Sequence, residues 1–248
     1  MKFYVVIPMY NEAKYICDAL NSLAAQSDDD FKVVLVDNGS TDHTVKVVND
    51  YLTASDLLIE LIHETQKGTG AAADTGFRHA IAQGATHIAR TDADCVADVH
   101  WVRHIKKAFI DRNLALVGGV IRPRSDEGKL SLLDHALIPF LLLMADITGG
   151  WRRRGAAFLY PYFLVAGNNM AVTAKIYEHA GGFPRSRIEE MHEDRELSET
   201  IRKLTSRGGR ARDVIVYNSL RRVREYGYMN TILWYWDHHY TPQIVDVR

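Results

Sequence analysis

Hydrophobic and polar positions alternate along the chain in a repeating order. Phe3 to Pro8 is a short apolar run that breaks into a turn-like Pro-Met-Tyr-Asn, after which Ile16, Leu20, Leu23 and Ala24 recur at helical spacing. The pattern predicts a strand, a loop and a helix. Lys32 to Val36 then forms a second β-rich run, ending at Asp37-Asn-Gly-Ser-Thr-Asp42, and Val45, Val48 and Leu52 mark one face of the helix that follows. Leu57 to Ile62 predicts a third strand and Thr69 to Gln83 a third helix. Thr86 to Arg90 predicts a fourth strand, running into Thr91-Asp-Ala-Asp-Cys95. This alternation predicts an α/β fold with a mostly parallel central sheet flanked by helices on both faces. Ligands bind at the carboxyl ends of the strands in such sheets, where this chain places Asn11-Glu12, Asp37 to Asp42, and Asp92 to Asp94.

Beyond Val120 the pattern changes. An arginine-bearing loop (Arg122, Arg124) leads to an apolar helix from about Leu130 to Ile147, then Trp151-Arg-Arg-Arg154, then Phe163-Leu-Val-Ala-Gly-Asn-Asn-Met-Ala-Val172. No internal repeat or low-complexity linker separates the parts. The 248 residues therefore read as one continuous domain with a functional seam near residue 120, the second half looking like a covering or substrate-facing region.

Composition narrows the class. With 47% hydrophobic and 25% charged residues the chain is globular, and a net charge of -1 supplies no global positive field for nucleic acid. Two cysteines make no disulfide framework, and no basic stretch, long apolar core and cleavage site open the sequence, which reads as a cytoplasmic, reducing home. The apolar stretch Ala136 to Ala145, broken by Pro139, is about half the ~20 residues that a membrane span needs. Peripheral contact with a membrane surface is left open.

Several clusters carry candidate chemistry. Asp92 and Asp94, one residue apart at a strand end, can converge on a hard divalent cation such as magnesium or manganese. Asp37 ends a strand where it can accept a hydrogen bond from a nucleoside edge, while Ser40, Thr41 or Asp42 caps the next helix. Lys67-Gly-Thr-Gly70 resembles a phosphate-cradling loop but is not Gly-x4-Gly-Lys-Ser/Thr, and the first strand lacks Gly-x-Gly-x-x-Gly. Glu193-Asp194 opens an amphipathic helix with an apolar stripe of Leu197, Ile201 and Leu204. Asp237-His-His239 could add an imidazole to a metal, and Arg221, Arg222 and Arg224, like Arg152 to Arg154, could grip phosphates.

Pro8-Met-Tyr-Asn-Glu12, Val36-Asp-Asn-Gly-Ser-Thr-Asp42, Lys67-Gly-Thr-Gly-Ala-Ala-Ala73 with Gly76, and Asp92-Ala-Asp94, in that order and each at a strand end, resemble the family 2 glycosyltransferases of GT-A fold. The resemblance continues through Gly167-Asn-Asn-Met-Ala-Val172, Gly181-Gly-Phe183 and Glu193-Asp194, covering roughly residues 3 to 205. It implies that Pro8, Tyr10, Glu12 and Asp37 hold the nucleoside of a sugar nucleotide, with Lys67 and Gly68 near the base or ribose. Asp92 would face the ribose and Asp94 the manganese or magnesium on the diphosphate, the two forming the metal pair. Gly167, Asn168 and Asn169 would line the sugar and acceptor side, Arg224 would reach the diphosphate, and Asp194, with Glu193 beside it, would be the general base.

The implied reaction is metal-dependent transfer of one sugar to an acceptor hydroxyl with inversion. The donor would be a UDP-sugar in first place and a GDP-sugar in second; the acceptor, lipid-linked or saccharide, stays open. Processive members carry Gln-x-x-Arg-Trp after the base, whereas Arg221-Arg-Val-Arg-Glu-Tyr226 stands in that region here. The rival readings are a nucleotidyltransferase, which usually has a Gly-rich loop straight after the first strand, and a sugar-nucleotide-binding protein without turnover.

Overall fold

A computed structural model describes residues 1–126, 143–144, 146–150, 155–185, 192–221, 223–225, 227 and 230. The first four strands are β1 (Phe3–Met9), β2 (Lys32–Asp37), β3 (Ile59–His63) and β4 (His87–Arg90), and the helices between them are α1 (Ile16–Ala24), α2 (Thr44–Leu52) and α3 (Thr69–Ala82). Then come β5 (Cys95–Ala97), α4 (Trp101–Asp111), β6 (Leu116–Pro123), a 3-10 turn at Gly167–Asn169, β7 (Met170–Thr173), α5 (Ala174–His179), α6 (Glu193–Leu204) and β8 (Gly208–Asn218).

All eight strands join one sheet in the order β3-β2-β1-β4-β7-β6-β8-β5. The expectation of a mostly parallel sheet describes its first half: β3, β2, β1 and β4 are mutually parallel, each reached through a helix. The second half is mixed. β7 lies antiparallel between β4 and β6, β8 is parallel to β6, and β5 is antiparallel to β8. A crossover helix returns a chain to the same end of the sheet and enforces parallel pairing; β4 runs into β5 through four residues without one, so the chain comes back in the opposite sense there.

The two faces of β1 show how the sequence builds the layers. Phe3, Val5, Ile7 and Met9 point into a core shared with Leu20 and Leu23 of α1, Val48 of α2, and Trp101 and Ile105 of α4. Tyr4 and Val6 point the other way, onto Ala72, Ala73 and Phe77 of α3, Tyr177 of α5, and Leu197 and Ile201 of α6. Helix α3 lies close on the sheet at Gly76, where an added Cβ would be 2.4 Å from Val6 Cγ1 and 2.8 Å from Val36 Cγ2. Gly76→Ala should therefore destabilise the protein by about 1–3 kcal/mol through overpacking, despite alanine's better helix propensity, as a lowered urea midpoint would show.

No helix among the described residues is long and apolar enough to cross a membrane. Most of the expected apolar helix, residues 130–142 and 145, lies outside the described residues, as do Trp151 to Arg154, Arg222, and Asp237 to His239. Of that helix, Leu143, Met144 and Ile147 are described, and all three are exposed.

Candidate active site

The register of the parallel strands carries three loops to one edge of the sheet, since Met9 stands beside Asp37 and Asp37 beside His63. The first two loops are laced together. Asn11 takes a left-handed backbone (φ 56°), which asparagine tolerates, and its Oδ1 accepts the Thr41 N–H at 2.8 Å and the Asp42 N–H at 3.3 Å. The Glu12 N–H donates to Thr44 Oγ1 at 2.7 Å. Buried Asp37 accepts the N–H groups of Gly39 and Ser40 at 3.2 and 3.1 Å, so its carboxylate shapes its own loop. Asp42 accepts the Thr44 N–H at 2.9 Å, the helix-start role expected for this segment.

Lys67 lies over the Tyr10 ring, 4.2 Å from its centroid, and donates to the carbonyls of Asn38 and Gly39 at 2.9 Å each. Gly68 has a φ of 140° and its N–H donates to Asn38 Oδ1 at 2.8 Å. Tyr10, Asp37, Lys67 and Gly68 thus share one corner. Pro8 is buried inside β1, and so shapes the strand end rather than presenting a surface.

Alternation continues beyond β4. Ala93 and Cys95 point into the core, which puts Asp92 and Asp94 on the opposite, partly exposed side. Each aspartate has an arginine. Arg90, buried at the end of β4, donates from Nη1 to Glu193 Oε1 at 3.0 Å and from Nη2 to Asp92 Oδ1 at 3.4 Å. Burial works against the Arg90 charge, but Asp92, Glu193 and Asp194 more than offset it and raise its pKa. Arg90 is the residue that sequence reasoning missed; its only signal was a charge ending the apolar run His-Ile-Ala-Arg.

Arg221, three residues beyond β8, holds both oxygens of Glu12, with Nη1 2.7 Å from Oε2 and Nη2 2.5 Å from Oε1. Its Nε lies 3.2 Å from Asp94 Oδ2. Burial pushes the Glu12 carboxyl up to about 7; Arg221 pulls against the shift, and Asp94 and Asp92 add to it. Asp92 is likewise raised by burial, which Arg90 opposes and the neighbouring Asp94 and Glu193 reinforce. Arg224, expected at the diphosphate, is exposed one helical turn farther on. One expected contact needs correction. Asn169 does not line the site: it is 1% exposed, its Oδ1 accepts the Trp101 indole N–H at 2.9 Å, and its Nδ2 donates to the carbonyls of Val120 and Val214 at 2.9 and 3.1 Å. Its amide is consumed in joining α4, β6 and β8. Asn168 beside it is partly exposed, and its Oδ1 has no hydrogen-bond partner among the described residues.

Glu193 and Asp194 begin α6 with different tasks. Glu193 is buried on Arg90. Asp194 is partly exposed, its Oδ2 accepting the Gly167 N–H at 2.8 Å and its Oδ1 the Arg195 N–H at 2.7 Å. Gly167 is also the cradle of Arg90: a Cβ there would lie 2.8 Å from the guanidinium carbon. The aspartate pair and the Glu193-Asp194 pair are thereby joined through one buried arginine.

The donor set at Asp92 and Asp94 is two carboxylates, hard oxygen ligands that suit magnesium or manganese. No group of three or more His, Cys, Asp or Glu able to hold a metal occurs among the described residues. A cation there would complete its coordination with water and substrate oxygens, as magnesium does on phosphates.

The family model for glycosyl transferase family 2 matches residues 4–176. The chain is a family 2 glycosyltransferase. It is 31% identical over 161 residues to an uncharacterized glycosyltransferase of Nostoc sp., an alignment covering 65% of this chain and 48% of that one. This family 2 chain thus spans about half the length of that relative, and it covers 38% of a second relative, glycosyltransferase AglE of Haloferax volcanii. The fold is that of the GT-A glycosyltransferases. The structure of S. aureus TarS 1-349 in complex with UDP-GlcNAc superposes with a TM-score of 0.65 at 18% identity, covering 94% of this chain and 65% of that one. The Pyrobaculum calidifontis mannosyltransferase PcManGT, in complex with GDP-Man and Mn2+, also gives a TM-score of 0.65, at 22% identity and with 97% and 65% covered.

Proposed function

We propose that this family 2 glycosyltransferase moves a single sugar from a nucleoside diphosphate sugar to an acceptor hydroxyl, with inversion, and that it works with a divalent cation at Asp92 and Asp94. The observation that carries the reading is the Arg90 bridge, which sets the aspartate pair and the Glu193-Asp194 pair on one rigid support. Nucleotide sugars bound to TarS and PcManGT, the latter with Mn2+, support the donor class.

The roles follow from what each side chain can do. Tyr10, Asp37, Lys67 and Gly68 form the corner that receives the nucleoside, Tyr10 offering a ring and Lys67 a cation held against it. Asp92 and Asp94 face the ribose and diphosphate, and Glu12 holds Arg221 beside them. A bound cation would supply charge neutralisation of the departing diphosphate. Asp194, partly exposed and steadied by two backbone N–H groups, takes the proton of the acceptor hydroxyl. Glu193 is committed to Arg90 and positions Asp194 instead of accepting that proton. Asn168, partly exposed, would offer its side-chain amide to the sugar or acceptor hydroxyls.

The test is the anomer released when the full chain is left with an α-linked nucleotide sugar and Mn2+, followed by proton NMR. Water in place of the acceptor should give the β-anomer first, and fresh α-anomer would overturn inversion.

A further inference from the structure

Strand β8 ends at Asn218, which pairs directly with Cys95, so the chain leaves the sheet beside Asp94. Three residues later the Arg221 guanidinium sits between Glu12 and Asp94 and over the Tyr15 ring, 5.0 Å from its centroid. Its side chain is 15% exposed. A second cation would thus meet a fixed positive charge already bonded to the carboxylate it needs.

Resting on the proposed function, we infer that Arg221 is the built-in counter-ion of the Asp94 site and couples cation binding to donor binding. Without nucleotide, a divalent cation approaching Asp94 competes with the Arg221 N–H for Oδ2 and is repelled by the guanidinium. A diphosphate relieves both effects, because it adds negative charge and offers the guanidinium fork another anion. Coupling of this kind is reciprocal: the factor by which the diphosphate tightens the cation equals the factor by which the cation tightens the diphosphate. Arg90 does not play this part, since it is buried on Glu193 and Asp92 with its side chain 3% exposed.

The experiment counts free Mn2+ by electron paramagnetic resonance during titration of the full chain, with and without UDP or GDP. Arg221→Gln should bind Mn2+ alone about tenfold more tightly than the wild type, and the enhancement by nucleotide should shrink by about the same factor, leaving the part due to direct coordination of Mn2+ by the diphosphate. Adding Asp94→Asn should remove the gain, which assigns it to this site. Because Arg221→Gln leaves Glu12 without its partner, the double variant Glu12→Gln/Arg221→Gln serves if the single one does not fold, with the same expectation. Equal or weaker Mn2+ binding by the folded variant overturns the inference. A wild-type chain that binds Mn2+ neither alone nor with any nucleotide counts against the proposed function, while the inference still turns on whether the variant gains Mn2+ at Asp94.

Discussion

Asp94→Asn should abolish the dependence of nucleotide binding on a divalent cation and lower sugar transfer by about 10³-fold. The substitution keeps size and one acceptor oxygen, so the Arg221 contact at 3.2 Å can persist and the fold should hold. What disappears is the anionic ligand, and with it the electrostatic support of a leaving diphosphate. Calorimetric titration of UDP and GDP with Mn2+ checks the binding half, and turnover measured on the same preparation checks the rate half. A variant that keeps both would remove the cation from the Asp92-Asp94 pair.

Asp194→Asn should behave differently. The amide oxygen can still accept the Gly167 N–H that now meets the carboxylate at 2.8 Å, so the loop and the donor site stay in place. The proton acceptor is lost, and kcat should fall by about 10²–10⁴-fold while the KM for the donor stays near the wild-type value. Steady-state kinetics against both substrates resolves the two constants. Near-normal kcat would sink the base assignment, and a large rise in donor KM would assign Asp194 to donor binding instead.

The contrast with Glu193 comes from folding and was not legible in the sequence. As neighbours at a helix start the two acids look alike, and the helix dipole favours both. Only when Arg90 is brought within 3.0 Å of Glu193, across 103 residues of sequence, do their tasks separate. The same limit explains Asn168 and Asn169: a shared motif does not say which amide turns to the core, and Trp101, Val120 and Val214 capture Asn169. That Arg221 holds Glu12 and stands beside Asp94 was not legible in the arginine-rich composition of its segment.

Much of the first half was legible because its signals are local. Apolar runs of four to seven residues bounded by polar turns marked β1 to β4, and α3 was expected over Thr69 to Gln83 against Thr69–Ala82 observed. The strand-end loops followed from that alternation alone. The second half was harder to read. β5 is three residues long, β7 is four, and Gly208–Asn218, a strand that pairs on both sides, opens with glycines and arginines in its first five residues. Such strands are decided by their partners in the sheet and not by their own periodicity.

The most direct test of the metal-linked donor site is equilibrium binding of UDP and GDP to the full chain, each with Mn2+ and again with excess chelator. The account predicts that at least one of them binds with Mn2+ and that its affinity falls by about tenfold or more when the cation is removed. Binding that is indifferent to the chelator, or no binding of either nucleotide with Mn2+ present, would contradict it.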